Sequence, residues 1–223
     1  LAFQPGEGWR YGTSADILGA VVEVVSDVPF GEFLKKEFFA PLHMMDTDFR
    51  LDASKRERLT KVYEATTDGL IEYHGNHLGI CNHMDAEICF ESGGAGLVST
   101  IVDYQHFAQM LLNGGFYQGR TYLAPATVAY MTGCHLEPYQ QGMMRGWENL
   151  AGYSYSNLMR VLTNPSFAVI NGFAGEYGWD GWLGPYFANI PEKETTFLLM
   201  LQLKDSGTFA LTRKMRNVLA TAL

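Results

Sequence analysis

Apolar positions recur at helical spacing soon after the start of the chain. Ile17, Leu18, Val21, Val22, Val24 and Val25 predict the buried face of a helix, which Thr13 or Ser14 can cap. Asp16 falls in its first turn, where the helix dipole favours a carboxylate. Phe30, Phe33, Leu34 and Phe38 predict a second amphipathic helix over 30–39, ended by Pro41. Between 51 and 91 the pattern weakens. "KVYEAT" and "LIEYH" read as short strands around an Asp68-Gly69 turn, and the rest as loop. The glycine cluster at 92–96 leads into a helix over 101–112. There Thr100 and Asp103 resemble a capping box with Asp in place of the usual Glu, and Asn113-Gly114 supplies the stop. Pro125 suits the first turn of a short helix over 126–132.

The last third changes character. "YSYSNLMRVL", "FAVI" and "TTFLLMLQL" are strand-like, and the third is apolar enough for a central strand. A closing helix over 208–223 carries Leu211, Met215, Val218, Leu219 and Ala222 on one side. No internal repeat or low-complexity linker interrupts the chain. Helices followed by strands and a closing helix indicate an α+β fold in a single domain spanning 1–223. Within it, 1–150 is mainly helix and loop, and 151–223 holds the C-terminal strands and closing helix.

A chain of 223 residues can bury a sizeable core. Its net charge of -8, with no basic run, argues against nucleic acid as a partner. The longest apolar run, at 197–201, is too short to cross a bilayer, so no membrane partner is expected. Cys81, Cys89 and Cys134 are too few for a disulfide framework, which fits a reducing compartment and a cytoplasmic location. The opening "LAFQPGEGWRY" has no initiator Met and reads like the middle of a protein.

Several familiar chemistries are absent. None of the nine serines sits in a G-x-S-x-G elbow, and none is followed by Lys three residues later. "GAGLVS" is no P-loop. "HGNHLGICNH" gathers His74, His77, Cys81 and His83, but the spacing matches no common zinc module and the glycines and asparagines predict a polar loop. Neither metal nor cofactor is expected. The ten methionines are scattered and read as core filler. Tyr11 precedes a capped helix, a position from which a side chain reaches into a cleft, although an ordinary aromatic there is the commoner case. "GEYGWDGWLGPYF", at 175–187, raises the other question. Asp180-Gly181 between alternating apolar residues signals a hairpin, yet two tryptophans bracket it.

Five ordered segments together resemble the serine β-lactamase-like superfamily, most of all its family VIII carboxylesterases, with class C β-lactamases and D-alanyl-D-alanine peptidases as relatives. They are "FQPGEGWRYGTSADILGAVVEVVSD", "FFAPLHMMDTDF", "FESGGAGLVSTIVDYQHFAQMLLNGG", "LAPATVAYMT" and "GWDGWLGPYF". The resemblance implies a β-lactamase/transpeptidase-like fold, an antiparallel sheet flanked by helices with a helical subdomain, of which the N-terminal part is missing here. It implies an acyl-enzyme serine hydrolase acting on small-molecule esters or related acyl compounds. β-Lactam or D-amino-acid peptide substrates, or an inactive binding or scaffold role, are the alternatives. Tyr11 aligns with the tyrosine that activates the nucleophilic serine, and Trp182 N–H with an oxyanion donor. The Lys-Thr-Gly motif of β-lactamases aligns with Trp179-Asp180-Gly181, where Gly181 gives substrate clearance and Asp180 repels anions. With Gly93, Gly94 and Gly96 these residues are implied to line the substrate pocket. Taken with Tyr11, Asp180-Gly181 is expected on an edge strand facing a cleft rather than in a hairpin. The Ser-x-x-Lys segment is absent from this chain, which is therefore expected to be inert alone and to need the upstream segment of the same protein as its partner.

Overall fold

The local signals convert into elements in chain order in a computed structural model, which describes residues 1–84, 88, 90–133, 136–144, 150–207 and 210–223. Helix α1 spans Ser14–Ser26, and α2, Phe30–Leu34, continues as a π-helical turn over Lys35–Phe39. Strands β1, Tyr63–Thr66, and β2, Gly69–Glu72, form the hairpin expected around Asp68. Segment 75–84 was expected to be loop. It instead carries a second small hairpin, β3, Asn76–His77, with β4, Ile80–Cys81. Helix α3 occupies Ile101–Leu112 as expected. After it come β5, Phe116–Tyr117, β6, Arg120–Thr121, α4, Pro125–Met131, and α5, Pro138–Met144. The C-terminal third holds β7, Tyr153–Ser156, β8, Met159–Leu162, β9, Tyr177–Asp180, β10, Tyr186–Ile190, β11, Thr195–Leu199, and α6, Ala210–Ala222. The expected start of α6 at Thr208, together with Cys89 and Cys134, lies outside the described residues.

Two compact units divide the chain. One comprises 1–11, 108–200 and 206–223, and the other 12–107 and 201–205. The first is built on a five-stranded antiparallel sheet in the order β11-β10-β9-β8-β7. Every residue of β10 is buried. Asn189, at its heart, donates to Ala108 O at 2.8 Å and to the Tyr177 hydroxyl at 3.0 Å, which ties the end of α3 to the sheet. Met144, Leu150, Tyr153 and Leu162 pack together beside β7 and β8. In the second unit Leu42, Met44, Phe49 and Val62 are buried, and Asp103 receives Asp46 N–H at 2.7 Å and Thr47 Oγ1–H at 3.0 Å. Asp103 is thus not the returning half of a capping box. Its own N–H still takes the Thr100 hydroxyl oxygen at 3.1 Å, so the N-cap itself forms.

Several expectations are corrected. "YSYSNLMRVL" is two strands joined by Asn157 and Leu158, both at positive φ, a turn hidden by its lack of glycine. "FAVI" is not a strand. Pro165–Phe167 forms a 3-10 turn, closed by Asn164 Oδ1 accepting from Ser166 N at 3.1 Å. "TTFLLMLQL" supplies β11, which ends the described sheet instead of sitting at its centre. Asp180 and Gly181 do begin a hairpin connection, and β9 lies between β10 and β8 rather than at an edge. The ladder to β8 nevertheless stops at Gly178, so Trp179 and Asp180 lie on the part of β9 beyond it.

Both long amphipathic helices leave most of the apolar face expected to be buried exposed within these 223 residues. In α1 the buried residue is Gly19, while Ile17, Leu18, Val21, Val24 and Val25 are exposed. Thr13 stands at the N-cap without a side-chain capping bond. In α6 the buried residues are Thr212 and Arg216, and Leu211, Met215 and Val218 face outward. The cause in α6 is an ion pair: Arg216, fully buried, donates to the carboxylate of Glu176, which is 1% exposed. Burying one charge without the other is strongly unfavourable, so the pair fixes which side of the helix turns inward. Among the described residues, no helix is long and apolar enough to cross a membrane.

Arg216→Ala is expected to lower the unfolding free energy by about 3–5 kcal/mol, because Glu176 is left buried and unpaired. Combining Arg216→Met with Glu176→Met should recover most of that loss in urea unfolding. A double variant as unstable as the single one would show that the pair is not what matters.

Candidate active site

Tyr11 closes the N-terminal segment of the first unit, just before α1, and remains 45% exposed. Its ring lies parallel to that of Trp179 at 5.4 Å between centroids. Trp179 meets Tyr155 of β7 edge to face at 5.4 Å, and Tyr155 meets Trp9 in the same manner at 5.4 Å. Four aromatic side chains from three distant stretches of sequence thereby form one continuous row. Aromatic pairs in these offset and edge-on geometries contribute beyond their buried area. Burial pushes the Tyr155 phenol well up, and the neighbouring Tyr11 adds to the effect. Tyr155 is therefore a neutral wall residue. Sequence reading missed it because alternation in "YSYS" looks the same for a core and for a site.

The β9–β10 connection carries the remaining residues. Gly181 N–H donates to Pro185 O at 2.8 Å, and Gly184 N–H to Gly181 O at 2.9 Å. A planar trans peptide points its C=O and N–H in opposite directions. Gly181 C=O is turned into the loop, and the N–H of Trp182 shares its peptide plane. The Trp182 carbonyl accepts from Ser206 N–H at 3.2 Å, which fixes the following peptide as well. A Cβ on Gly181 would come within 2.8 Å of the Pro185 ring. This glycine therefore serves loop closure, a packing role beside the substrate clearance expected of it.

Asp180, expected to repel anions, has a cationic partner. Its Oδ1 accepts from Arg160 Nη1 at 2.9 Å, and Arg160 Nη2 donates to Phe187 O at 3.0 Å. Arg160 is 1% exposed and lies 4.2 Å from the centre of the Tyr186 ring. Burial opposes its charge, but Tyr186 and Asp180 outweigh that and hold its pKa above the ordinary value. The same strand is tight at Gly178, where a Cβ would meet Phe187 O at 2.0 Å. A cavity of about 20 Å³ beside Tyr153, Arg160 and Tyr186 has room for one water and none for a substrate.

Gly93, Gly94 and Gly96 belong to the second unit, and each has a packing role there. A Cβ on Gly93 would lie 2.0 Å from Ala15 O, so the loop backbone presses directly on α1 beside Gly19. Ser92 donates to Asp16 and accepts the N–H groups of Gly94 and Ala95 at 3.1 and 3.0 Å, which locks the loop to the helix. Gly94 lies in ordinary contact with the Ala15 side chain, and Gly96, at φ +93, packs near Ile80 and Phe49.

The Beta-lactamase family model matches residues 1–222. The chain belongs to the beta-lactamase family. Lovastatin esterase of Penicillium rubens is 29% identical over 188 residues, covering 82% of this chain and 45% of the esterase. Among solved structures, EstCE1, described as a hydrolase with promiscuous acyltransferase activity, superposes with a TM-score of 0.83 at 21% identity, over 98% of this chain and 57% of its own. A penicillin-binding protein homologue from Caulobacter crescentus gives 0.69 at 18% identity, over 99% and 60%. These structural likenesses establish the β-lactamase/transpeptidase fold. This beta-lactamase-family chain spans about half the length of the curated relatives it matches.

Gly93→Ala is expected to destabilise the protein by about 1–3 kcal/mol or more, since backbone rather than a flexible side chain must yield. Gly94→Ala, which has ordinary contact distances, should be much milder. Thermal melts of the two variants compare them directly, and equal losses would refute the packing account.

Proposed function

We propose that the chain is the C-terminal part of a serine acyl-hydrolase that works through an acyl-enzyme on esters or related small acyl compounds. The observation that carries this reading is the stack of exposed Tyr11 on Trp179, next to the β9–β10 hairpin connection that bears Trp182. In this reading Tyr11, sharing the general-base work with the lysine of a Ser-x-x-Lys segment, relays the proton of a serine hydroxyl to the departing alkoxide. That serine comes from a Ser-x-x-Lys segment outside these 223 residues, since no serine within them has Lys three positions later. The N–H of Trp182 and the N–H of the serine itself then hold the carbonyl oxygen as it gains charge.

The character of the wall argues for uncharged substrates. Trp179 stands where β-lactamases place a lysine, and Asp180 is engaged by Arg160. Neither a cation to anchor a carboxylate nor an unpaired anion is offered by the Trp179-Asp180-Gly181 motif. The flat Trp179 and Tyr155 rings suit apolar acyl or alcohol groups. The ester named in the lovastatin esterase relative supports the same class of substrate.

In the serine-bearing protein, Tyr11→Phe is expected to lower kcat on a p-nitrophenyl ester by about 10²–10⁴-fold. A fluorophosphonate probe should label that protein and leave the 223-residue chain unlabelled. Full activity in Tyr11→Phe, or a labelled serine among these residues, would overturn the assignment. Faster turnover of a chromogenic cephalosporin than of the ester would move the substrate class to β-lactams. Failure on both substrates with no labelling would indicate a binding or scaffold protein.

A further inference from the structure

The histidine-rich segment folds into something the proposed chemistry does not use. Glu72 ends β2, and His74 follows two residues on. The chain then closes back on itself through the β3–β4 hairpin, with Asn82 Nδ2 donating to Gly75 O at 3.2 Å. Gly75 leaves room for the end of the Tyr73 side chain, since a Cβ there would lie 2.3 Å from its hydroxyl oxygen. His83 arrives beside His74 with the two rings near parallel at 5.0 Å. Its backbone is pinned by Arg56, which donates to His83 O at 3.2 Å and Met84 O at 2.7 Å.

One donor atom from each of Glu72, His74 and His83 lies within 4.8 Å of the others. The Nε2 atom of His83 is shielded from solvent and has no hydrogen-bond partner among the described residues, an unsatisfied state that a folded protein rarely leaves without a use. Lys61 Nζ occupies Oε2 of Glu72 at 2.6 Å, which leaves Oε1 to accept a second partner. We propose that Glu72, His74 and His83 form a binding site for a divalent transition-metal ion of the zinc class.

Two imidazoles and one carboxylate are the ligand types that such an ion prefers, whereas Mg²⁺ and Ca²⁺ take oxygen donors. Tetrahedral coordination at about 2.0–2.2 Å places ligand atoms roughly 3.3 Å apart, so rotation of the side chains closes the present gap. The fourth position is left to water. The ion would tie the end of β2 to the segment following β4. This stapling role is independent of the acyl chemistry proposed above.

Titration of the purified protein with Zn²⁺, followed by calorimetry and by metal content after dialysis, tests the site. One ion per chain is expected, with visible absorption bands when Co²⁺ replaces Zn²⁺. His74→Ala and His83→Ala should each weaken binding by at least about tenfold, His106→Ala should leave it unchanged, and Mg²⁺ should not compete. Zn²⁺ should also protect His74 and His83 from diethylpyrocarbonate in the unsubstituted protein, a readout that needs no variant to fold. Absence of stoichiometric uptake, uptake indifferent to both substitutions, or unprotected histidines would each overturn the proposal.

Discussion

The buried ion pair between Arg216 and Glu176 is the constraint on which the sheet-containing unit depends. A buried charge is tolerated only when paired, so α6 must present Arg216 to the sheet even though its apolar stripe then faces outward. Burial pushes the Glu176 carboxyl above its ordinary value, against the pull of Arg216 and Arg160. Arg160 extends the same logic toward the site. Sealed from water and stacked on Tyr186, it reaches Asp180 at the end of β9 and the backbone of β10 at Phe187. The hairpin that bears Trp182 is thus held at its base by a guanidinium.

Much of the secondary structure was legible because its signals are local. Pro125, the Thr100 hydroxyl and the Asp68-Gly69 pair each act within a few residues, and the corresponding elements formed. The facing of α1 and α6 was not legible. Both helices carry apolar side chains on a wide arc, and the inward side was chosen by distant partners: Gly93 against Gly19 in one and Glu176 against Arg216 in the other. Periodicity names a stripe but cannot see a buried charge or a backbone contact that overrules it. The Asn157-Leu158 turn escaped because leucine in a left-handed conformation is uncommon.

The candidate site divides in the same way. The conjunction of Tyr11 and Trp179 was readable from the order of motifs along the chain, not from either residue alone. Tyr155 was invisible, since no feature of "YSYS" tells a wall residue from a core one. The glycines at 93–96 and 181 were noticed for the right property, the missing side chain. The neighbour that needs the space proved to be the protein's own backbone or a proline ring.

The aromatic row has a consequence beyond catalysis. Trp179 lies face to face with Tyr11 and edge on to Tyr155, a fixed asymmetric environment for its indole transitions. Such an arrangement gives rise to near-ultraviolet circular dichroism and quenches or shifts indole emission according to ring spacing. A molecule sliding between the Tyr11 and Trp179 rings would therefore announce itself optically. The protein carries its own spectroscopic reporter at the place where an acyl group is proposed to rest.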